Sequence, residues 1–137
     1  MEDEDDKTCK VLLIGEENVG KESIRIRFVK GVFDRVRMMI ASSTHEGIPS
    51  KRVIVDEKEG KSVKFEIWTP CGQERYRALP PFFYRKAGIV ILVYDITRKE
   101  SFEEIKKYWY NQIKEYAPKN ISKKKYIFNN ILKLFLV

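Results

Sequence analysis

Gly15 to Ser23 (GEENVGKES) stands directly between the apolar run Val11-Leu12-Leu13-Ile14 and the helix-like stretch IRIRFVKG. A strand that runs through a glycine loop into a helix is the opening of an α/β open sheet, whose ligand lies at the carboxyl ends of the strands. The spacing is Gly15, four residues (Glu16, Glu17, Asn18, Val19), then Gly20-Lys21. It lets consecutive backbone N–H groups turn inward around a phosphate chain, with the Lys21 ammonium at the outer phosphates and the helix dipole adding to them. After the lysine the pattern requires Ser or Thr, whose hydroxyl binds Mg²⁺, and this chain has Glu22. Ser23 is no substitute, because neighbouring helical residues point about 100° apart. The spacing alone leaves two readings open, a nucleotide loop and an ordinary glycine-containing turn.

The 137 residues, 43% of them hydrophobic, suffice for one core, so a single domain is expected over 8–137, with residues 119–137 divergent. The acidic start MEDEDD is expected to be disordered over 1–7, and no apolar leader precedes the first strand, which makes the expected location cytoplasmic. Cys9 and Cys71 have no paired spacing and no histidine cluster, so neither a disulfide framework nor a zinc site is expected. Tyr126 to Val137 is broken by Asn129, Asn130 and Lys133 and falls short of the roughly 20 residues of a membrane span. Of the net charge of +7, four lysines lie between Lys119 and Lys125. Such a run could meet an anionic membrane or nucleic acid, but no aromatic-interleaved motif accompanies it, so a solvated loop is the better reading and no nucleic-acid partner is expected. His45 is the single histidine and has no partner set for catalysis or metal binding.

Periodicity orders the elements. Lys10–Ile14 is a short strand, and Ile24, Ile26, Phe28 and Val29 give the stretch from Lys21 to Lys30 one buried helical side, ended by Gly31. Val32 to Ser50 has no period and is expected to be a long exposed loop. Val53 and Val55, the polar stretch Asp56 to Lys61, and Val63, Phe65 and Ile67 at period two spell a β-hairpin. Thr69 to Pro81 carries Pro70, Gly72, Pro80 and Pro81, marking a second irregular loop. Ala87 to Tyr94 (AGIVILVY) is the run expected at the sheet centre. Ser101 with Glu104 fits a capping box, and Phe102, Ile105, Tyr108, Trp109, Gln112, Ile113 and Tyr116 form the helical face after it, of a kind that is usually core. Leu132 to Val137 is a further candidate strand.

In this order the segments KVLLIGEENVGK, RFVKGVF, VKFEIW, GQERY, FFYRKAG, VYDIT and ESF resemble the Rab family of small GTPases, and several phrases are most similar to its early-endosomal subgroup. The resemblance covers roughly Thr8 to Ile121. It implies a P-loop NTPase-like open sheet, mostly parallel with one antiparallel hairpin and incomplete at its C-terminus. It further implies a GTP/GDP switch in vesicle traffic, in which GTP orders two loops that recruit effectors and hydrolysis releases them. Position by position, it places Gly15, Glu16, Glu17, Asn18, Val19, Gly20, Lys21, Glu22 and Ser23 at the phosphates. It places Gly72 at the γ-phosphate and Gln73 as the residue that orients the attacking water. Phe33 falls where an aromatic meets the guanine, with a helix-end core contact as the equal alternative. Thr44 is the candidate first-switch threonine, with Ser42 or Ser43 as alternatives. Mg²⁺ is the implied cofactor, with Glu22 and Thr44 as its candidate ligands. The hairpin 51–68 and the switch loops are the surfaces implied for effectors and regulators, and the endosomal membrane is the implied address.

The departures fall on the metal site and the base site. Glu22 replaces the Mg²⁺-binding hydroxyl, and Thr69 replaces the aspartate of the segment that here reads Thr69-Pro70-Cys71-Gly72. Glu16, Glu17 and Glu22 would then face the phosphates with only Lys21 opposing, a like-charge cost that predicts nucleotide weakened about tenfold or more. The guanine-specifying NKxD segment and a prenylation cysteine are also missing from the sequence, so weak or absent hydrolysis and no lipid anchoring are expected. Two further readings stay open beside the switch: a non-hydrolysing effector-binding module, and a truncated product of a Rab gene.

Overall fold

The computed structural model of the chain describes residues 7–31, 50–70, 74, 77 and 79–119. In chain order these form β1 (Lys7–Ile14), α1 (Lys21–Lys30), β2 (Ser50–Asp56), β3 (Lys61–Trp68), α2 (Pro81–Tyr84) and β4 (Ala87–Leu92). After them come α3 (Lys99–Glu104), a π-helical turn (Ile105–Trp109) and α4 (Tyr110–Tyr116). The last three run on as one helix, since both junction residues, Ile105 and Tyr110, are right-handed helical.

The four strands form one sheet in the order β2-β3-β1-β4. β1 is parallel to β3, with Val11 opposite Ile67, and to β4, with Leu13 opposite Ile91, while β2 and β3 form the antiparallel hairpin. β1 thus lies between two parallel neighbours, and its side chains alternate between two cores. Leu12 and Ile14 pack with Phe83, Tyr84, Leu92, Ile105 and Trp109 on one face of the sheet. Val11 and Leu13 pack with Val19, Ile67 and Val93 on the other, where Ile24, Phe28 and Val29 of α1 cover them. This two-sided covering explains why Val11 to Ile14 reads as an unbroken apolar run in the sequence. The mixed sheet with one antiparallel pair is the α/β architecture expected.

Several local expectations are corrected. The first strand starts at Lys7, three residues before the expected start at Lys10, because its first residues pair with Val63 to Phe65 of β3 while their side chains stay exposed or half-buried. Of the AGIVILVY run, Ala87–Leu92 forms the strand beside β1, last in the order of the described strands, and its middle residues are half-buried. A β-branched run reports burial and carries no information on strand order. Val55 does not share the inward face with Val53. The β2–β3 register shifts between Ile54 and Asp56 and leaves Val55 exposed. The hairpin turn itself is as read, with Asp56 Oδ1 accepting the Lys58 and Glu59 N–H groups at 3.0 and 3.2 Å.

The capping box at Ser101 does not form. Arg98 is the N-cap, so the helix begins three residues earlier, and Ser101 is buried in its first turn. Its hydroxyl accepts the Asp95 N–H at 3.0 Å and donates to the Arg98 carbonyl at 2.7 Å, tying the helix start to the segment that leaves β4. Ser101→Ala leaves the Asp95 amide without this acceptor, and urea denaturation is expected to register a loss of about 1 to 3 kcal/mol. Glu104, the other half of the expected box, pairs with Arg77.

Residues 1–6, 32–49 and 120–137 lie outside the described residues, and with them the long loop, His45 and the LKLFLV strand. Among the described residues no helix is long and apolar enough to cross a membrane.

Candidate functional site

The turn from β1 into α1 is shaped by a close backbone approach. A Cβ on Gly15 would lie 2.1 Å from the Val93 carbonyl oxygen, and the Val93 N–H donates to the Ile14 carbonyl at 2.8 Å, so glycine alone lets the chain leave the sheet there. Asn18 (φ 58°) and Gly20 (φ 97°) then take left-handed backbone, which curls the loop back so that Gly20 caps α1. Val19 points into the core with no exposed surface and anchors the loop's middle.

Lys21, the first residue of α1, folds back under this loop. Its ammonium donates to the Gly15 carbonyl at 2.9 Å and to the Glu16 carbonyl, and it pairs with Glu74 at 3.1 Å. All three of its N–H bonds thus find acceptors within the protein. Both members of the ion pair are buried, Lys21 at 5% and Glu74 at 8% exposure, and the second Glu74 oxygen has no hydrogen-bond partner among the described residues. Burial holds the Lys21 ammonium below the ordinary lysine value, against the pull of Glu74.

The helix 99–116 grips the loop from outside. The Trp109 indole N–H donates to Glu16 Oε1 at 2.8 Å, and Arg98 Nη2 donates to the Glu17 carbonyl at 2.7 Å. Arg77 bridges Glu16, at 3.5 Å, and Glu104, while its carbonyl accepts the Tyr108 hydroxyl at 2.7 Å. Trp109 closes the π-helical turn and is wholly buried, so one side chain serves both the core and the loop.

The charge balance around the loop differs from the sequence expectation of three glutamates opposed by Lys21 alone. Glu16 is held by Trp109 and Arg77, and Glu22 lies in the fork of Arg25, with Nε on Oε2 at 3.0 Å and Nη2 on Oε1. Thr69, directly after β3, donates its hydroxyl to Glu22 Oε2 at 3.2 Å. Two of the three acids therefore bring their own counter-cations. The tenfold weakening expected from uncompensated repulsion loses its basis at Glu16 and Glu22.

The same contacts decide how the site suits Mg²⁺. That ion needs near-octahedral oxygen ligands at about 2.0 to 2.1 Å. Both Glu22 oxygens are already turned to a guanidinium, and no group of three or more His, Cys, Asp or Glu side chains able to hold a metal occurs among the described residues. The described residues do not fit the ion. Of the residues picked out in the sequence, the structure brings Gly15, Glu16, Glu17, Asn18, Val19, Gly20, Lys21, Glu22 and Ser23 into one loop and helix start. Phe33, Thr44, Gly72 and Gln73 lie outside the described residues. Sequence reasoning missed Glu74, Arg77, Arg98, Trp109 and Arg25. Only Arg25 was signalled, by its spacing of three residues from Glu22 on a helix.

A mostly parallel sheet whose first strand turns through a glycine loop onto a helix-borne buried lysine defines the P-loop class of α/β proteins. Within that class the chain belongs to the Ras family, whose model matches residues 10–128. It is 37% identical over 131 residues to the Ras-related protein Rab-18-B of Danio rerio, a match that covers 96% of this chain and 60% of that protein. It is 41% identical over 112 residues to the GTP-binding protein ypt5 of Schizosaccharomyces pombe, covering 82% of this chain and 50% of the relative. The chain thus spans between half and three-fifths of the length of these relatives. The Rab resemblance carried by the motif order and these two relatives point the same way.

Proposed function

We propose that this chain is a Rab-like nucleotide-binding switch protein of intracellular vesicle traffic, taking GTP and GDP in the loop Gly15–Ser23. Membership of the Ras family supports the class, and the observation that carries the site is Lys21. It is a buried ammonium inside a glycine loop, at a helix N-terminus, with a carboxylate on the side where a phosphate oxygen would be received. In this proposal Gly72 and Phe33 complete the nucleotide contacts and Gln73 orients the attacking water. Thr44 belongs to the first switch, and effectors and regulators dock on the switch loops and the hairpin 51–68. Hydrolysis is weak, because Glu22 and Thr69 stand where the reaction needs a metal-held hydroxyl and an aspartate. The protein works from the cytoplasm, at endosomal membranes.

The test is thermal melting with and without GDP and GTP. A ligand that binds only the native state stabilises it by about 2.7 kcal/mol at a hundredfold excess over Kd, which raises Tm by several degrees. The expected result is such a shift in the natural chain and none in a folded Lys21→Ala variant. An equal or larger shift with ATP would assign the loop to adenine nucleotides. A second reading, an interaction module that binds effectors without nucleotide, is favoured by the complete internal pairing of the Lys21 ammonium. It predicts no shift at millimolar nucleotide.

A further inference from the structure

The two positions where the phosphate-site motifs depart from their usual residues touch each other. Glu22 stands where a hydroxyl is expected and Thr69 where a carboxylate is, and their side chains are hydrogen-bonded at 3.2 Å. The pair of chemical groups has been kept and exchanged between α1 and the end of β3. A cation stands beside them: Arg25, one helical turn after Glu22, closes its guanidinium fork on both carboxylate oxygens and is itself mostly buried, with 13% of its side chain exposed. A bidentate guanidinium–carboxylate pair is a directional, strongly bound unit. A divalent ion approaching Glu22 would have to displace that fork or sit against its positive charge.

We infer that Arg25, through Glu22 and Thr69, occupies the role of the divalent cation, so that the loop Gly15–Ser23 takes a nucleoside di- or triphosphate with no requirement for Mg²⁺. This inference rests on the nucleotide-binding reading above, and its test separates the two. Binding of fluorescent GDP and GTP to the full chain is measured in millimolar Mg²⁺ and in EDTA. Equal Kd values, within about twofold, are expected for the natural chain. In the double variant Glu22→Ser with Thr69→Asp, Mg²⁺ is expected to tighten binding by about tenfold or more. Binding by the natural chain that is itself tightened about tenfold by Mg²⁺ overturns the inference and leaves the nucleotide reading standing.

Absence of nucleotide binding in both buffers overturns the nucleotide reading, and the cation question is then decided without nucleotide. Mn²⁺ is titrated into the natural chain and into Arg25→Ala and followed by electron paramagnetic resonance, with circular dichroism confirming that the variant is folded. Free Mn²⁺ in the natural chain and bound Mn²⁺ in Arg25→Ala support the exclusion of the ion by the guanidinium. A Mn²⁺ site in the natural chain that Glu22→Gln removes overturns it. Free Mn²⁺ in both proteins also overturns it, since the guanidinium would then not be what keeps the ion out.

Discussion

Gly15→Ala is expected to cost about 3 kcal/mol or more in urea or thermal denaturation, and to abolish whatever nucleotide shift the natural chain gives. The new methyl carbon would lie 2.1 Å from the Val93 carbonyl oxygen. The atom it meets is backbone and cannot swing aside: Ile14 and Val93 are fixed to one another by the 2.8 Å hydrogen bond, and both are fully buried. Relief requires the loop to lift off the sheet, which moves the Gly15 carbonyl away from Lys21. An alanine at the exposed Gly31 or Gly60, where an added Cβ meets nothing, provides the control for backbone strain without a clash. A Gly15→Ala chain that melts like the natural one would show that the close approach does not govern the loop.

Trp109→Ala is expected to destabilise by about 3 to 5 kcal/mol, enough to unfold much of a domain whose whole stability is of order 5 to 15 kcal/mol. The ring is wholly buried between the helix and the sheet, packed with Leu12, Ile14 and Tyr84 and edge-on to Tyr108. Trp109→Phe separates its two duties. It keeps most of the apolar volume but removes the N–H that meets Glu16 Oε1. A smaller loss in the melt, of about 1 to 3 kcal/mol, with a change in nucleotide affinity, is the expected pattern. Equal melting and equal affinity in Trp109→Phe would reduce the indole to a packing element.

The sequence made much of this architecture legible because burial leaves a period and turns leave particular residues. The run Val11 to Ile14, the hairpin around Asp56 to Gly60 and the helical face Ile105 to Trp109 all follow from where apolar side chains must go. The loop Gly15 to Lys21 was legible for a different reason: phosphate recognition by backbone amides demands glycine at fixed spacings. What escaped was everything set by contacts between distant segments. Nothing near Trp109 signals that its indole N–H reaches Glu16, 93 residues away in sequence. The same holds for Thr69 meeting Glu22 and for Glu74 meeting Lys21. The false capping box shows the converse. Ser101 and Glu104 satisfy a local rule, but the turn at Asp95 and Arg98 takes the Ser101 hydroxyl, and Arg77, 27 residues away, takes Glu104. The charge balance at the loop is set in the same way, by Arg77 folding against Glu16 and Arg25 against Glu22.

In the buried pair between Lys21 and Glu74 the ammonium already has an anionic incumbent. Under the nucleotide-binding proposal, a phosphate that reached the Lys21 ammonium would have to displace this carboxylate, so its affinity would be a difference between two attractions to one ammonium.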